Sequence, residues 1–385
     1  MQQPIYLDYN ATTPVDPRVI DAMLPYLRED FGNASSSHAY GIRAHQALDR
    51  ARGQVAALLN ADPGEIVFTG GGSETNNLAL KGTAFVNLKN DPHIVSTTVE
   101  HPAVMNTLRY LEQRFGVAYT LVAVDDTGVL DLHALCTALA SPTCLVSVMH
   151  ANNEVGTIQP LARIAAIVHE AGALLHVDAA QSAGKVPIDV KAMGIDLLTI
   201  AGHKLYAPKG IGVLYLRRGV TIDPLVHGSS QELGMRAGTE PVASVVALGK
   251  AAELAREDVA AEAVSLTALR DRLHTGLAAR IPGLQLNGHP TERLPNTLNV
   301  SAPGTDGQSW LGMTPDVAAS TGSACHSASA SPSPVLTAMG LSRERAAGAV
   351  RLSLGRWTTA DEIDAATSAL AESYALLTGL DVSVG

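Results

Sequence analysis

Cysteine is scarce in this chain: Cys136, Cys144 and Cys325 are the only three in 385 residues. So few thiols, spaced so widely, exclude a disulfide framework and a thiolate zinc site, and no metal centre is expected. Cys136 and Cys144 sit in apolar stretches and are expected to be small buried hydrophobes. Basic residues are outnumbered, with 27 Lys and Arg against 37 Asp and Glu, for a formal net charge of −10. A nucleic-acid duplex demands a basic face, so nucleic acid is not an expected partner. No block of like charge marks an interaction tail. No uninterrupted apolar run approaches the ~20 residues that span a bilayer. Residues 1–14 lack the basic and apolar regions of a signal peptide. These absences predict a protein of the cytoplasm with no membrane partner.

What is present is a chain with 46% hydrophobic residues, enough for a sizeable core. Short apolar runs recur at Ile66–Thr69, Ile94–Thr97, Ala118–Ala123, Leu145–Met149, Leu174–Val177, Leu197–Ile200 and Gly212–Leu216. Several are separated by helical patterns, such as Pro102–Phe115 and Leu161–Ala171. Such alternation predicts an α/β fold: a large domain with a mostly parallel sheet flanked by helices. Ala44, Ala47, Leu48, Ala51, Val55, Leu58 and Leu59 follow helical spacing ahead of the sheet. After about Glu240 the pattern changes. A long alanine-rich helix is expected over Pro241–Arg280. A smaller α+β domain follows, with strands near Thr297–Val300, Val317–Thr321 and Val350–Leu354. The last helix opens at Thr359 and Glu362, in capping-box form. The large domain is placed at residues 16–255, and the small one at 1–15 and 256–385.

Three short stretches carry chemistry. Thr69-Gly-Gly-Gly-Ser-Glu-Thr-Asn-Asn77 puts a glycine-rich turn between a strand and a helix. Such a turn lets backbone approach a ligand, and the helix start offers free N–H groups to a phosphate. By itself it is equally a tight structural turn. Asp178 closes an apolar strand, where α/β sheets place ligand-binding groups. It is equally a cap or turn aspartate. An acid there, facing a pyridine nitrogen, would keep that nitrogen protonated and make the ring an electron sink. Lys204 directly follows an apolar strand and Gly202-His203. Buried beside a cationic His203, its amine would lose its proton readily and form a Schiff base. Cradle, acid and lysine together fit pyridoxal 5'-phosphate better than any one does alone.

The chain also resembles the cysteine desulfurases, of the class V aminotransferase group with the fold-type I pyridoxal-phosphate architecture. The stretches that carry the resemblance are Tyr6–Pro14, Phe31–Asn33, Thr69–Asn77, Val99–Pro102, Met149–Thr157, His176–Gln181, Ala201–Gly210, Arg236–Glu240, Thr321–Cys325 and Arg351–Arg356. The resemblance implies that Lys204 holds the cofactor and that His101 stacks on its ring and shuttles a proton. Asp178 would pair with the ring nitrogen and Gln181 with the ring hydroxyl. Gly72, Ser73 and His203 would hold the phosphate, joined by Thr239 from a second subunit of a homodimer. Asn153 would serve cofactor and substrate, and Arg351 would bind the carboxylate of L-cysteine, with Asn33 nearby. Two departures stand out. Ala201 replaces a phosphate-binding serine of some members, and Gly228-Ser229-Ser230-Gln231-Glu232 replaces a glycine-rich run.

Cys325 separates this reading from that of an ordinary aminotransferase. It sits among small polar residues that continue to Pro334, as suits a nucleophile that must travel, and His326 beside it would favour the thiolate. The resemblance implies that Cys325 takes sulfur from L-cysteine as a persulfide, leaves alanine, and passes the sulfur to an acceptor protein. An iron–sulfur scaffold is one such acceptor. Two other readings share the motifs: a selenocysteine lyase, and a non-catalytic sulfur carrier or scaffold protein. A true aminotransferase would have no use for Cys325.

Overall fold

The computed structural model describes residues 3–321 and 333–379. Cys325 therefore lies outside the described residues.

The strands in chain order are β1 (Ile5–Tyr6), β2 (Ile66–Thr69), β3 (His93–Thr97), β4 (Ala118–Val122), β5 (Leu145–Met149), β6 (Leu174–Asp178), β7 (Leu197–Ala201), β8 (Gly212–Leu216), β9 (Gln285–Asn287), β10 (Thr297–Ser301), β11 (Val317–Ala318) and β12 (Ala349–Ser353). Seven of them make one sheet, ordered β2-β8-β7-β6-β5-β3-β4. All neighbours run parallel except at β8, which is antiparallel to both β2 and β7. The fold is thus α/β, with a mostly parallel sheet flanked by helices. β5 and β7 are buried along their whole length. That explains why they read as continuous apolar runs rather than alternating ones: a sheet covered on both faces has no polar side.

β12, β10 and β9 form a separate antiparallel sheet, and β1 pairs with β11. Trp310, Leu273, Leu277, Leu298, Val350 and Ile363 form the apolar core beside that smaller sheet. The helix Val242–Arg280 runs from the core of the large sheet, through Val245 and Leu248, to this second core, through Leu273 and Leu277. The expected capping box is present: Thr359 Oγ1 accepts from Glu362 N, and Glu362 accepts from Thr359 N at 2.8 Å.

Two expectations change. The strand expected over Val317–Thr321 is only Val317–Ala318, because the partner β1 offers just Ile5 and Tyr6. Beyond it the chain makes a single bridge from Ser320 to Arg351. Cys136 is not buried but exposed, in the last turn of the helix Leu132–Ala138. The apolar spacing of that short helix points Leu135, not Cys136, into the core. Cys144 is half-buried, and burial pushes its thiol up to about 11, so it stays protonated and inert. Among the described residues no helix is long and apolar enough to cross a membrane.

Candidate active site

Parallel strands point their carboxyl ends the same way, and the loops leaving those ends surround a cavity of about 920 Å³. Its walls include Asn10, Gly72, Ser73, His101, Asn153, Asp178, Gln181, His203, Lys204 and Arg351. The fold thus brings together residues scattered over most of the chain. Asn33 and Thr239 are exposed and are not in the lining of this chain's cavity.

The glycine turn feeds directly into the helix Gly72–Val86. Gly71 is its N-cap, with φ of 136°, a backbone state open to glycine and strained for other residues. No side chain caps this helix end, so its first N–H groups are left for a ligand. Gly72 packs close to Ala201: a Cβ placed on Gly72 would lie 3.0 Å from the Ala201 Cβ. Ala201 therefore presents a small methyl wall to the start of this helix.

Asp178 ends β6 and is buried. Ala180 N donates to its Oδ1 at 3.0 Å, and Asn76 Nδ2 donates to Oδ2 at 2.7 Å. Two donors aim the carboxylate across the mouth of the sheet. Asn76 lines the same cavity and is not among the residues that the sequence singles out. Its only signal was its place one turn into the helix after the glycine turn.

His101 is the N-cap of the helix Pro102–Phe115, and its Nδ1 accepts from Ala103 N at 3.0 Å. In the neutral ring the proton therefore sits on Nε2. Burial lowers this imidazole below its ordinary value, Asp178 opposes that shift and Lys204 adds to it. His203 corrects an expectation. The sequence suggests a cation, but burial first, then Lys204 and Lys209, pushes it down to about 4. It is neutral at physiological pH, with Nδ1 3.1 Å from Thr12 Oγ1. Its neighbour Lys204 is thus not accompanied by a positive imidazole.

Lys204 ends the short helical turn that follows β7, and its Nζ donates to the backbone oxygen of Asn10. Arg351, on β12, is buried. Its Nη1 donates to Asn153 O at 3.0 Å, and its Nη2 pairs with Asp8 Oδ1 at 2.7 Å. Its Nε has no hydrogen-bond partner among the described residues. Asp8 is a second residue that the sequence did not single out as functional. The unusual stretch at Gly228–Glu232 ends in a turn where Glu232 and Leu233 have positive φ. Arg52 binds the Glu232 carboxylate with both Nη1 and Nη2, and Phe68 N donates to the same group, which pins the turn to β2.

The aminotransferase class-V family model matches residues 5–366. The chain belongs to the class-V aminotransferase family. Among curated class-V relatives, the cysteine desulfurase IscS of Anaeromyxobacter dehalogenans (strain 2CP-C) is 47% identical over 367 residues, covering 94% of this chain and 91% of that protein. The protein of the same name from Salmonella schwarzengrund (strain CVM19633) is 46% identical over 385 residues, covering 99% and 95%. Among solved structures, a NifS-like protein aligns with a TM-score of 0.91 at 37% identity, covering 97% of this chain and all of the other. SspA in complex with cysteine aligns with a TM-score of 0.81 at 36% identity, covering 92% and 99%.

Class-V aminotransferases are pyridoxal-phosphate enzymes. The donor set fits that cofactor. An uncapped helix start suits the phosphate, an anchored carboxylate suits the ring nitrogen, and a primary amine suits the aldehyde.

Proposed function

We propose that this chain is a pyridoxal-phosphate-dependent cysteine desulfurase that converts L-cysteine to L-alanine and receives the sulfur on Cys325. The observation that carries this reading is the convergence of Lys204, Asp178, His101 and Arg351 on one cavity. The relatives named above support it.

Bound pyridoxal phosphate supplies an electron sink that weakens the Cα–H and Cβ–S bonds of an amino acid attached to it. Lys204 would anchor the cofactor through its amine, and its Nζ would carry the α-proton. Asp178 keeps the ring nitrogen protonated, and the Asn76 and Ala180 donors keep Asp178 aimed. Gln181 gives its amide N–H to the ring hydroxyl. Gly72, Ser73 and His203 would hold the phosphate. Arg351 would take the substrate carboxylate; its guanidinium also bonds the Asn153 oxygen and Asp8. His101 presents Nε2–H over the site and serves as the proton shuttle at substrate sulfur. The Cys325 thiolate attacks that sulfur. An S–S bond forms, the Cβ–S bond breaks, and its electron pair stays on the carbon skeleton that becomes alanine. The net exchange, cysteine plus thiol giving alanine plus persulfide, needs no external oxidant.

Chain connectivity supports the Cys325 role. Ser320 pairs with Arg351 in the cavity wall, and Cys325 is five residues further on, within roughly 17 Å of extended chain. On the other side, Pro334 and Val335 line the cavity. We further propose a cytoplasmic homodimer in which Thr239 serves the partner's site, and that Asn33 assists in substrate binding. Thr239 is exposed in the single chain, as that role requires. The persulfide would pass to an acceptor protein such as an iron–sulfur scaffold.

The test is to incubate the holoenzyme with L-cysteine, quantify alanine, and look for a persulfide on the Cys325 peptide by mass spectrometry. Cys325→Ala is expected to keep the cofactor's visible band and lose alanine formation. Full turnover of cysteine by Cys325→Ala would end the sulfur-acceptor role.

A further inference from the structure

Lys185 is an interior amine that the chemistry above leaves unused. Part of the residue surface is exposed, but its amine end is enclosed. Nζ donates to Gln181 Oε1 at 2.9 Å and to Asn10 Oδ1 at 3.1 Å. No carboxylate forms an ion pair with it among the described residues. The charged and titratable groups that act on it or feel it are Lys204, Arg351 and His203. An ammonium without a counter-ion is costly in such a place. A neutral amine has two N–H groups, and two acceptors are what surround it. Burial first, then Lys204 and Arg351, holds it well below the ordinary lysine range.

These bonds close a ring. Lys185 donates to both partners, and Gln181 Nε2 donates to Asn10 O at 2.9 Å. The same Asn10 oxygen receives Lys204 Nζ. Asn10 is itself buried and tied to the smaller sheet, since its Nδ2 donates to Thr297 Oγ1 at 2.9 Å and its Oδ1 accepts from Asn296 Nδ2 at 3.1 Å. A carbonyl only accepts, so Asn10 O fixes the nitrogen end of the Gln181 amide and Lys185 fixes the oxygen end. One Gln181 N–H is spent on Asn10, and the other is left for the cavity.

We propose that Lys185 is a positioning residue: by donating to Gln181 Oε1 and Asn10 Oδ1, it locks the Gln181 amide with an N–H toward the cofactor's ring oxygen. This rests on the desulfurase reading given above, in which Gln181 meets that oxygen. A donor to the ring oxygen stabilises its negative charge most when the neighbouring Schiff-base nitrogen has lost its proton. Loosening Gln181 should therefore raise the pH midpoint of the bound cofactor's visible band.

The experiment titrates that band in holoenzymes of the parent, Lys185→Met, Lys185→Ala, Lys185→Gln, Gln181→Ala and the Gln181→Ala/Lys185→Met pair. Met and Ala are made in parallel so that one soluble variant suffices, and thermal unfolding of each apoprotein checks the fold. Removing the Lys185 donor is expected to raise the midpoint by about one pH unit. It should lower kcat about tenfold with KM for cysteine within about twofold. Lys185→Gln, a neutral donor, should recover part of both. In the Gln181→Ala background Lys185→Met should move the midpoint no further, because it acts through Gln181. A parental midpoint in both Lys185→Met and Lys185→Ala overturns the proposal, as does an undiminished shift in the Gln181→Ala background. A parent with no visible band, or one that makes no alanine from cysteine, would instead sink the desulfurase reading itself.

Discussion

Burial pushes the carboxyl of Glu100 up into the neutral pH range, and this can be measured without any cofactor. It is buried beneath the cavity, next to His101. Its Oε1 accepts from Thr97 Oγ1 at 2.7 Å and from Met149 N at 2.9 Å, while Oε2 has no partner among the described residues. Burial raises it from 4.5 to about 8; the two hydrogen bonds oppose the shift and the Asp178 charge adds to it. Between those values the unfolded chain has released this proton and the folded chain still holds it. Stability therefore falls as pH rises through the window, and is flat with respect to this group below and above it. At about 1.4 kcal/mol per pH unit, the span from 4.5 to about 8 bounds the loss at roughly 5 kcal/mol. Glu100→Gln keeps the acceptor oxygen, puts an amide where the protonated oxygen was, and cannot ionise. Urea unfolding of the two apoproteins at steps across that window should show Glu100→Gln gaining on the parent as pH rises. A difference that stays constant from mildly acidic to mildly alkaline pH would refute the reasoning.

Two further outcomes follow from the site. Asn76→Ala removes the 2.7 Å donor from Asp178. The unpartnered Asn76 Oδ1 offsets part of that loss, so urea unfolding of the apoprotein should show a cost of about 1–2 kcal/mol; unchanged stability would mean the bond does not anchor Asp178. Asp8→Asn keeps an oxygen near Arg351 but removes the negative charge that competes with a substrate carboxylate. Steady-state kinetics should show KM for cysteine falling about threefold with kcat nearly unchanged, and a rise in KM would show that Asp8 orients Arg351 more than it competes for it.

Some of the site was legible because its signals are local. A strand followed by Gly70-Gly71-Gly72, an aspartate at a strand end, and a lysine just past a strand each declare themselves within ten residues, since the sheet's geometry converts chain position into place. Asn10 was not legible in that way. Its partners are Gln181, Lys204, Asn296 and Thr297, and nothing in its immediate neighbourhood announces them. Nothing in the sequence distinguishes Lys185 from a solvated lysine, because sequence shows a residue's type and not what surrounds its amine. Cys136 was misjudged for the related reason that apolar neighbours in sequence do not fix which face of a short helix a residue occupies. A cationic His203 is the natural reading of the sequence because its charge state depends first on burial, which the sequence does not display.

The sequence by itself determined the alternation of strands and helices, the order of the chemical motifs and the family to which they belong. These follow from periodicity and local backbone demands, which are properties of short stretches. Only the tertiary structure decided which of those residues meet, that β8 runs antiparallel inside a parallel sheet, and that burial pushes the imidazole of His203 down and the carboxyl of Glu100 up. Those are consequences of long-range packing, because removal of water and the approach of distant charges set a side chain's protonation and its partners. Lys204, a lysine after a strand when read alone, acquires its setting from Asn10, a residue 194 positions away.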